Sequence, residues 1–478
     1  MPGAENTDPT HERAACETVL RFRQTLGPVV LGALLSAFAA QADAPSAAVP
    51  NAAGAVSVPA GLEVQINFWK RIFTVYSTRQ VVIHDALHED RIYAVLDFRP
   101  LAEAGLRDAE IDAYAARHVR REKEHVRALL RNLHRLRRSR RDLSPEEQRI
   151  RRLFANVKEP AKFLHAAGGD RIRAQRGLRE RFAAGVEVSR RYLPEMEEIF
   201  RREGLPVELT RLPLVESGFN VHAHSRAGAV GVWQFLAATG RQYMRIDAAI
   251  DERRDPIIST RAAARYLKAN YAMLGNWPLA VTAYNHGRAG MARAVSVVGT
   301  TDLGQIIKRY RSRSFKFASR NFYAEFLAAL DVERHFETYF GELHPHPPLR
   351  AEQVVVPDYI SFKTLARVVG TDPERLATLN PALGRQVVSG RLHVPRGYRA
   401  RVPLGSSATF TQRYAGLPAG QKHSRQRRLY VRHRVKRGQT LSGIAKRYGT
   451  TVRAIQRRNR LRDASRVRAG QTLLIPTG

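Results

Sequence analysis

The sequence predicts a mainly α-helical protein of several domains that ends in a small module of mixed α and β structure. At 478 residues the chain is too long for one hydrophobic core, and its 44% apolar and 26% charged residues are typical of folded proteins. Apolar residues recur at helical spacing among Arg and Lys between 119 and 136. At the C-terminus, residues 431–478 carry strand, helix, helix and strand signals in succession.

Changes in composition divide the chain into successive segments. Residues 341–350 are Pro-rich, and this composition indicates a linker. The expected order is a signal peptide at 1–42, a flexible Ala- and Pro-rich leader at 43–61, a helical N-terminal region at 62–184, a larger helical domain at 185–340, a short module at 351–404, a basic linker at 405–430 and a terminal module at 431–478. Within the N-terminal region, Ser144 is expected to cap a helix that begins at Pro145.

The N-terminus has the pattern of a secretory signal peptide. Arg13, Arg21 and Arg23 precede an apolar run at 26–40, which leads into an Ala-x-Ala site. This run of about 15 residues is shorter than the roughly 20 that a spanning helix needs. We therefore expect export to the periplasm or cell envelope, with a retained membrane anchor as the alternative. Because the only cysteine, Cys16, precedes the run, the exported chain is expected to lack disulfides and cysteine-ligated metal.

The charge of the chain indicates an anionic partner. Lys and Arg number 79 against 44 Asp and Glu, which gives a formal net charge of +35. Such a charge favours nucleic acid, acidic lipid or an anionic wall polymer. Export and the absence of any base-reading motif argue against nucleic acid. The run of arginines at 135–141 is interpreted as a solvated helix face, with contact to an anionic polymer as the alternative.

A nearly apolar helix is predicted within residues 205–219, and Glu216 lies at its end. Pro206 suits the first helical position, Pro213 is expected to bend the helix, and Gly218 is placed to terminate it. A carboxyl group among apolar side chains has a raised pKa, which is the condition for a general acid that is still protonated near neutral pH. A glutamate exposed at a helix end is the competing interpretation, and this segment alone does not decide between the two.

Motifs around this glutamate resemble those of the soluble lytic transglycosylase (goose-lysozyme-like) superfamily, specifically its membrane-bound lytic transglycosylase D branch. The matching elements are Glu-Ser at 216–217, Ser-Arg-Ala-Gly-Ala-Val-Gly-Val-Trp-Gln-Phe at 225–235, Ala-Tyr-Asn-His-Gly at 283–287 and Ser-Arg-Asn-Phe-Tyr at 319–323. The resemblance covers about 185–340 and implies a lysozyme-like α (α+β) domain. Val221 and Ala237 depart from the pattern, since many relatives have Pro there.

The resemblance also implies roles for individual residues. Glu216 stands for the catalytic acid that protonates the leaving oxygen of the glycan. Ser217 and Gln234 stand for residues that bind the substrate or hold the glutamate, and Tyr284 and Asn285 for residues that orient the sugar. Tyr323 would place a hydroxyl near the carboxyl group. Trp233 is left between a core residue and a sugar platform.

A single catalytic carboxylate predicts an unusual product. Between 217 and 249 the only acidic residue is Asp247, and Asp251, Glu252 and Asp255 lie in a charged stretch where surface ion pairs are expected. Ordinary glycosidases need two carboxylates. The resemblance therefore implies cleavage of the β-1,4 bond between N-acetylmuramic acid and N-acetylglucosamine without water, which leaves 1,6-anhydromuramic ends.

Alternatives to this activity are a goose-type muramidase, which hydrolyses the same bond, and a catalytically inactive wall-binding scaffold. No cofactor is expected. His222, His224 and His286 lie near the motifs, but we expect no metal because no third ligand accompanies the His-x-His pair. The oligomeric state is left open.

The residues that carry a recurring pattern in 433–476 are Val435, Gly438, Thr440, Leu441, Ile444, Ala445, Tyr448, Asn459, Leu461, Gly470, Gln471, Leu473 and Pro476. Together they resemble a LysM module, a small βααβ fold that binds chains containing N-acetylglucosamine. From 432 to 478 there are 13 basic residues against the single acid Asp463, a charge that suits an anionic wall polymer. Gln439 stands where the family usually has Asp, and 351–398 resembles a degenerate copy of the module. The resemblance implies these glycan-binding residues: Gly438, Gln439, Thr440, Leu441, Asn459 and Leu461.

Overall fold

A computed structural model describes residues 56–138 and 141–476, which form two compact units. The first unit comprises residues up to Tyr243 together with Pro256–Pro348. The second comprises Met244–Asp255 and the chain from Leu349 onward. A short piece of the predicted 185–340 domain thus belongs to the second unit.

The predicted signal peptide at 1–42 lies outside the described residues, as does most of the leader at 43–61. Within 56–138 and 141–476, no helix is both long enough and apolar enough to cross a membrane.

The first unit begins with helices around a three-stranded sheet. Its elements are α1 (Glu63–Thr74), β1 (Gln80–Asp85), β2 (Ile92–Asp97), α2 (Arg99–Glu103), α3 (Asp108–Arg135), a 3-10 helix (Leu136–Arg138), α4 (Pro145–Arg152), α5 (Lys162–Ala167) and β3 (Ile172–Arg176). The strands are antiparallel in the order β2-β1-β3, and Val82 lies opposite Val95 on one side and Gln175 on the other. Ser144 caps α4 as predicted, because its hydroxyl accepts the N–H of Glu147.

The central strand β1 is buried on both faces. Val81 and Ile83 belong to a core shared with α3, whereas the His84 ring lies 4.6 Å from the ring of Phe68 in α1. The apolar run of β1 therefore lacks the alternation of apolar and polar residues that marks a half-exposed strand. We did not predict this sheet in a region expected to be helical, and the missing alternation is the reason.

The remainder of the first unit is helical. Its elements are α6 (Arg179–Ser189), α7 (Leu193–Arg202), a 3-10 helix (Val207–Arg211), α8 (Leu212–Glu216), α9 (Ala237–Gly240), α10 (Pro256–Leu274), α11 (Trp277–His286), α12 (Arg288–Val298), α13 (Leu303–Arg309), α14 (Phe317–Arg334) and α15 (Phe336–Phe340). Helix α14 is buried along most of its length and packs against α1, α8 and α11. The expectation of a mainly α fold is confirmed.

The second unit contains two successive arrangements of strand, helices and strand. The first consists of β4 (Glu352–Val355), α16 (Phe362–Val369), α17 (Pro373–Leu379), α18 (Arg385–Val388) and β5 (Arg399–Val402), followed by α19 (Ser406–Ala415) and a 3-10 helix (Ala419–Gln421). The second consists of β6 (Tyr430–Arg434), α20 (Leu441–Arg447), α21 (Val452–Asn459) and β7 (Thr472–Pro476). In each, the two strands pair antiparallel, and the second arrangement has a hydrophobic core of its own.

Residues Met244–Asp255, which include a 3-10 helix (Glu252–Arg254), pack into the first of these arrangements. Ala249 and Ile250 are buried in its core. Asp255 is only 1% exposed, and both its oxygens accept hydrogen bonds from the guanidinium of Arg401. The expected ion pair exists, but its placement at the surface was wrong for Asp255 because the carboxylate lies inside the unit.

Candidate active site

Glu216 is the last residue of the short helix α8. The predicted single bent helix is instead a 3-10 helix at Val207–Arg211 followed by α8, with Pro213 in the first turn of α8. Proline is tolerated there because its missing N–H would have no partner within the helix. The glutamate is half-buried, while the four residues before it are buried.

A tight turn directs the chain away after Glu216. Gly218 and Phe219 both have left-handed backbones, with φ of 62° and 54°. The N–H groups of Ser217 and Phe219 donate to the carbonyl of Pro213 at 3.0 and 3.1 Å. A left-handed backbone costs little at glycine but is strained at phenylalanine. The fully buried Phe219 ring and these hydrogen bonds hold the turn in this conformation.

Helix α6 approaches this turn closely. A Cβ built on Gly185 would lie 2.9 Å from the carbonyl oxygen of Gly218 and 3.2 Å from its carbon. Both atoms are backbone, so a larger residue at 185 would have to displace either α6 or the turn. The turn after Glu216 is therefore in close contact with a helix that the sequence analysis did not connect with the site.

Ser217 is buried, and its hydroxyl lies 2.9 Å from the carbonyl oxygen of Val232 and 3.2 Å from that of Pro213. This contact ties the end of α8 to the motif at 225–235. Of the two roles predicted for Ser217, the geometry favours holding the glutamate over binding the substrate.

The motif at 225–235 folds into a compact loop beside α8. Trp233 is fully buried and donates its indole N–H to the hydroxyl of Thr260 at 2.8 Å. Its ring belongs to the core, so it is not a sugar platform. Gln234 has a left-handed backbone, with φ of 50°, and its side-chain amide donates to the carbonyl of Gly231 at 2.8 Å.

Tyr284, on α11, lies next to this loop and to Glu216. Its hydroxyl donates to the carbonyl of Trp233 at 2.9 Å. Burial of the hydroxyl and, next, the negative charge of Glu216 raise the pKa of Tyr284 well above its usual value. The structure thus brings together two predicted site residues that are distant in sequence.

The other two predicted residues contact different groups. Asn285 is exposed, and its side-chain oxygen accepts the hydroxyl of Ser319 at 3.0 Å, which links α11 to α14. Tyr323 is 1% exposed and donates its hydroxyl to the carbonyl of Ser57 at 2.6 Å. The predicted role of Tyr323 as a donor near the catalytic carboxyl stays a prediction.

Glu216 borders a depression of about 340 Å³. Its walls include Phe73 of α1 and Phe182 of α6, and Arg181 brings a positive charge. Among the described residues that line it, Glu216 is the only acid. The first acid after Glu216 along the chain, Asp247, accepts hydrogen bonds from Arg245 and from two backbone N–H groups.

Three half-buried tyrosines form a row that the sequence analysis missed. The rings of Tyr243, Tyr266 and Tyr284 follow one another with centroids 5.9 and 5.4 Å apart. Arg265 lies over Tyr243 and Arg288 over Tyr266. Partly exposed aromatic faces suit carbohydrate, but a lone Tyr in a helix such as α10 carries no motif that would indicate this.

No group of three or more His, Cys, Asp or Glu is placed to hold a metal ion within 56–138 and 141–476.

The predicted glycan-binding residues of the terminal module lie in its two loops and helix ends. The Gln439 side-chain oxygen accepts the N–H of Lys436 at 2.9 Å, and the Thr440 hydroxyl caps α20. Leu441 is buried, and Leu461 packs partly buried on the same core. Asn459 makes two hydrogen bonds of 2.8 Å with the backbone of Leu474. Gly438 is exposed, with φ of 84°.

Comparison with known protein families finds two matches. Residues 196–307 match the family described as Transglycosylase SLT domain, and residues 433–476 match the LysM domain. The chain therefore contains an SLT transglycosylase domain and a C-terminal LysM domain, and it is a peptidoglycan lytic transglycosylase with a wall-binding module.

Particular proteins are also similar to this chain. The membrane-bound lytic murein transglycosylase D of Escherichia coli is 28% identical over 327 residues, which are 65% of this chain and 69% of the relative, and the same protein from a second E. coli strain matches equally. An inactive mutant of lytic transglycosylase Slt from Pseudomonas aeruginosa matches with 18% identity and a TM-score of 0.27, over 53% of this chain and 39% of that one. The predicted resemblance to the D branch is confirmed.

Proposed function

We propose that Glu216 cleaves the β-1,4 bond between N-acetylmuramic acid and N-acetylglucosamine without water, leaving 1,6-anhydromuramic ends. The observation that carries this proposal is the setting of Glu216. It ends a buried helix, borders a depression and, among the described residues of that lining, is the only acid.

The reaction needs Glu216 to act twice. As a general acid it gives its proton to the glycosidic oxygen, and the bond to C1 of the muramic residue breaks. With no second carboxylate, the positive charge at C1 is met by the 2-acetamido oxygen of the same sugar. Glu216, now a carboxylate, takes the proton of the 6-hydroxyl, and that oxygen closes onto C1. The 6-hydroxyl is tethered to the ring, so its effective concentration far exceeds that of water.

Neighbouring groups are suited to orienting the sugar. Asn285 is exposed, and its bond to Ser319 fixes its amide for contact with an acetamido group. Gln234 and the Tyr284 hydroxyl are held by main-chain carbonyls of the 225–235 loop, so they support a fixed geometry. The row of Tyr243, Tyr266 and Tyr284 offers faces for stacking of further sugars along the glycan strand.

The terminal LysM domain adds a second contact with the substrate. We infer that glycan lies against the exposed loop around Gly438 and the loop that follows Asn459. The surrounding basic residues add salt-screened attraction to anionic wall polymer. Such an enzyme acts in the cell envelope, and the export expected from residues 1–42 agrees with that place of action.

The test is digestion of purified sacculi followed by mass spectrometry of the released fragments. We expect anhydromuramic ends to dominate, whereas reducing muramic ends would mean hydrolysis and the muramidase alternative. Glu216→Gln removes the transferable proton at nearly constant shape and should lower the rate by at least about 10²-fold. The matched control is Glu208→Gln, whose carboxylate pairs with Arg334 and does not line the depression, so this change should leave the rate unchanged. A folded Glu216→Gln protein that kept most of its activity would refute the assignment.

A further inference from the structure

The short module at 351–404 repeats the construction of the LysM domain. In both, two capped helices lie between antiparallel strands: Ser361 and Asp372 cap α16 and α17, as Thr440 and Thr451 cap α20 and α21. The family matches at 196–307 and 433–476 lie outside this module, and the likeness rests on geometry.

An asparagine clamp makes the likeness specific. The Asn459 side chain bonds both the N–H and the carbonyl of Leu474 at 2.8 Å, and donates to the carbonyl of Ile455. Asn380 does the same with the N–H and carbonyl of Arg401, both at 2.8 Å, and donates to Leu376. Each asparagine ends the second helix and fixes the closing strand. Apart from the extra short helix α18 before β5, the two modules therefore share one fold.

The two copies differ at the loop that follows the clamp. In the LysM domain, the residues after Asn459 are exposed or half-buried. In the copy, Ala382 and Leu383 are buried, because Met244–Asp255 lies along this loop. The N–H of Gly384 donates to Ala249 and that of Asp251 donates to Ala382, each at 2.8 Å, while Ile250 faces Leu383 as a β-bridge partner.

The other loop of the copy is covered as well. Tyr359 exchanges two backbone hydrogen bonds with His423, at 2.9 and 3.1 Å. In the LysM domain, the corresponding loop presents Lys436, Arg437 and Gly438 to solvent. Both loop edges are thus exposed in the LysM domain, whereas in the 351–404 module other segments of the same chain cover them.

A buried ion pair adds to this attachment. Arg401, whose backbone Asn380 clamps, stands where the LysM domain has Leu474, and its guanidinium binds the buried carboxylate of Asp255. Asp255 directly precedes Pro256, where α10 begins. The bound segment also falls within the residues that match the SLT family, 196–307.

We propose that residues 351–404 are a second LysM fold that has become an internal docking site: its loop edge holds residues 249–255 of the transglycosylase sequence, and it takes no wall glycan. Wall binding is then the task of 433–476 alone. This inference concerns wall binding and stands whether the cleavage product is anhydro or reducing.

A reversible crosslink tests the proposal in the full chain. Ile250 and Leu383 form a bridge flanked by hydrogen bonds on both sides, a pairing in which Cα atoms lie about 4.5 Å apart and a disulfide fits. The variant is Ile250→Cys with Leu383→Cys, made with Cys16→Ser to remove the natural thiol and Glu216→Gln so that sacculi stay intact. Sacculus pull-down is measured for the oxidised and the reduced protein.

We expect the disulfide to form on oxidation and sacculus affinity to agree within about twofold between the two forms, because closing an already occupied edge removes no binding site. A several-fold loss of affinity on oxidation, restored by reductant, would mean that the edge opens to bind glycan and would overturn the proposal. Failure of the disulfide to form would also overturn it. Asp255→Asn, in a second arm, should lower Tm by several degrees and leave sacculus affinity unchanged, and an unchanged Tm would contradict the docking role.

Discussion

Ser217 directly follows Glu216, the proposed catalytic acid, and ties down the end of the helix that carries it. Its hydroxyl is buried between two main-chain carbonyls, so it joins the end of α8 to the 225–235 loop. The hydroxyl has a single hydrogen to donate, and its bond to the Val232 carbonyl at 2.9 Å is shorter than that to the Pro213 carbonyl at 3.2 Å. We therefore expect Ser217 to affect catalysis through the position of Glu216 and not through contact with the sugar.

Substitution of Ser217 by Ala separates the two roles that the sequence left open. Loss of the hydroxyl leaves the Val232 carbonyl unpaired in a buried position, which costs about 1–3 kcal/mol of unfolding free energy. We expect Ser217→Ala to lower Tm and kcat while KM stays near the wild-type value, measured by thermal unfolding and by kinetics on soluble glycan. A rise in KM at unchanged Tm would indicate substrate contact instead.

At this scale the motifs predicted Glu216 and its neighbours as site residues, because their residue types and spacing are specific, and the roles of these residues stay predictions. The tyrosine row was not predictable, since Tyr243 lies in the turn after α9 and Tyr266 lies on α10, and only the folded structure makes them neighbours. For Trp233 the sequence left two alternatives, a core residue and a sugar platform, because it does not indicate which side of a loop faces the core.

At the scale of elements, the contact between α6 and the catalytic turn is the closest backbone approach in the site. It depends on the missing side chain of Gly185, which lies outside the SLT match at 196–307. A methyl group there would meet the Gly218 backbone, which cannot rotate away as a side chain can. The turn that orients Glu216 is therefore sensitive to a residue on another helix.

Gly185→Ala should lower kcat by about tenfold or more while the protein stays folded, since displacements of about 1 Å near reacting groups cost up to 10² in rate. Cleavage of soluble glycan and circular dichroism are the measurements. Gly420→Ala is the matched control, because a Cβ there would meet nothing within 4 Å. Equal rates for both variants would show that α6 does not position the turn.

The sheet makes the stability of the first unit depend on pH. Burial is the main cause that lowers the pKa of His84 to about 4. The carbonyl and carboxylate of Asp85 act in the opposite direction, whereas the positive charges of Arg173 and Lys123 lower the pKa further. This pKa is below the usual 6.5, so the unfolded chain takes up a proton first as pH falls. The contribution of neutral His84 to the free energy of unfolding is therefore complete above pH 6.5. It decreases as the pH falls toward 4, by about 3 kcal/mol at most.

His84→Leu should therefore flatten the decrease of unfolding free energy between pH 6.5 and 4. Denaturant unfolding at several pH values measures this slope in the wild type and the variant. The same slope in both proteins would assign the pH dependence to other groups.

Elements were predictable where their signals are local. The cap at Ser144 and the end of α8 at Glu216 follow from short-range hydrogen bonding and backbone geometry, and both agree with the structure. Strand β1 was missed because burial on both faces removes the period of two. Pro213 was placed inside a longer helix because the sequence does not mark the change from a 3-10 helix to α8.

For the whole molecule, catalysis and wall binding are carried by separate cores. The LysM domain has its own hydrophobic cluster around Ile444, Ile455 and Ile475, so its removal leaves the core of the 351–404 module intact. The assignment of Met244–Asp255 to the second unit could not be predicted, because adjacency in sequence gave no sign that these residues pack with a module about 100 residues later.

Deletion of 431–478 should reduce retention on sacculi and leave cleavage of soluble glycan nearly unchanged. Pull-down is best done in the Glu216→Gln background, at low and at physiological salt. The basic contribution of the intact protein should weaken as salt rises, because surface charges are screened over about 8 Å at physiological ionic strength. Unchanged retention after the deletion would remove the LysM domain from wall binding.

The contact between Tyr323 and Ser57 determines where a shortened protein can begin. The buried Tyr323 hydroxyl has its acceptor in the stretch that precedes α1, and the carbonyl of Ala60 in the same stretch lies against Gly304. A recombinant chain started at Glu63, which the helix boundary alone would suggest, would lose both contacts and leave the tyrosine hydroxyl inside the core without that acceptor. Protein production for crystallisation or kinetics should therefore retain residues from at least Val56, although the leader contains no predicted secondary structure.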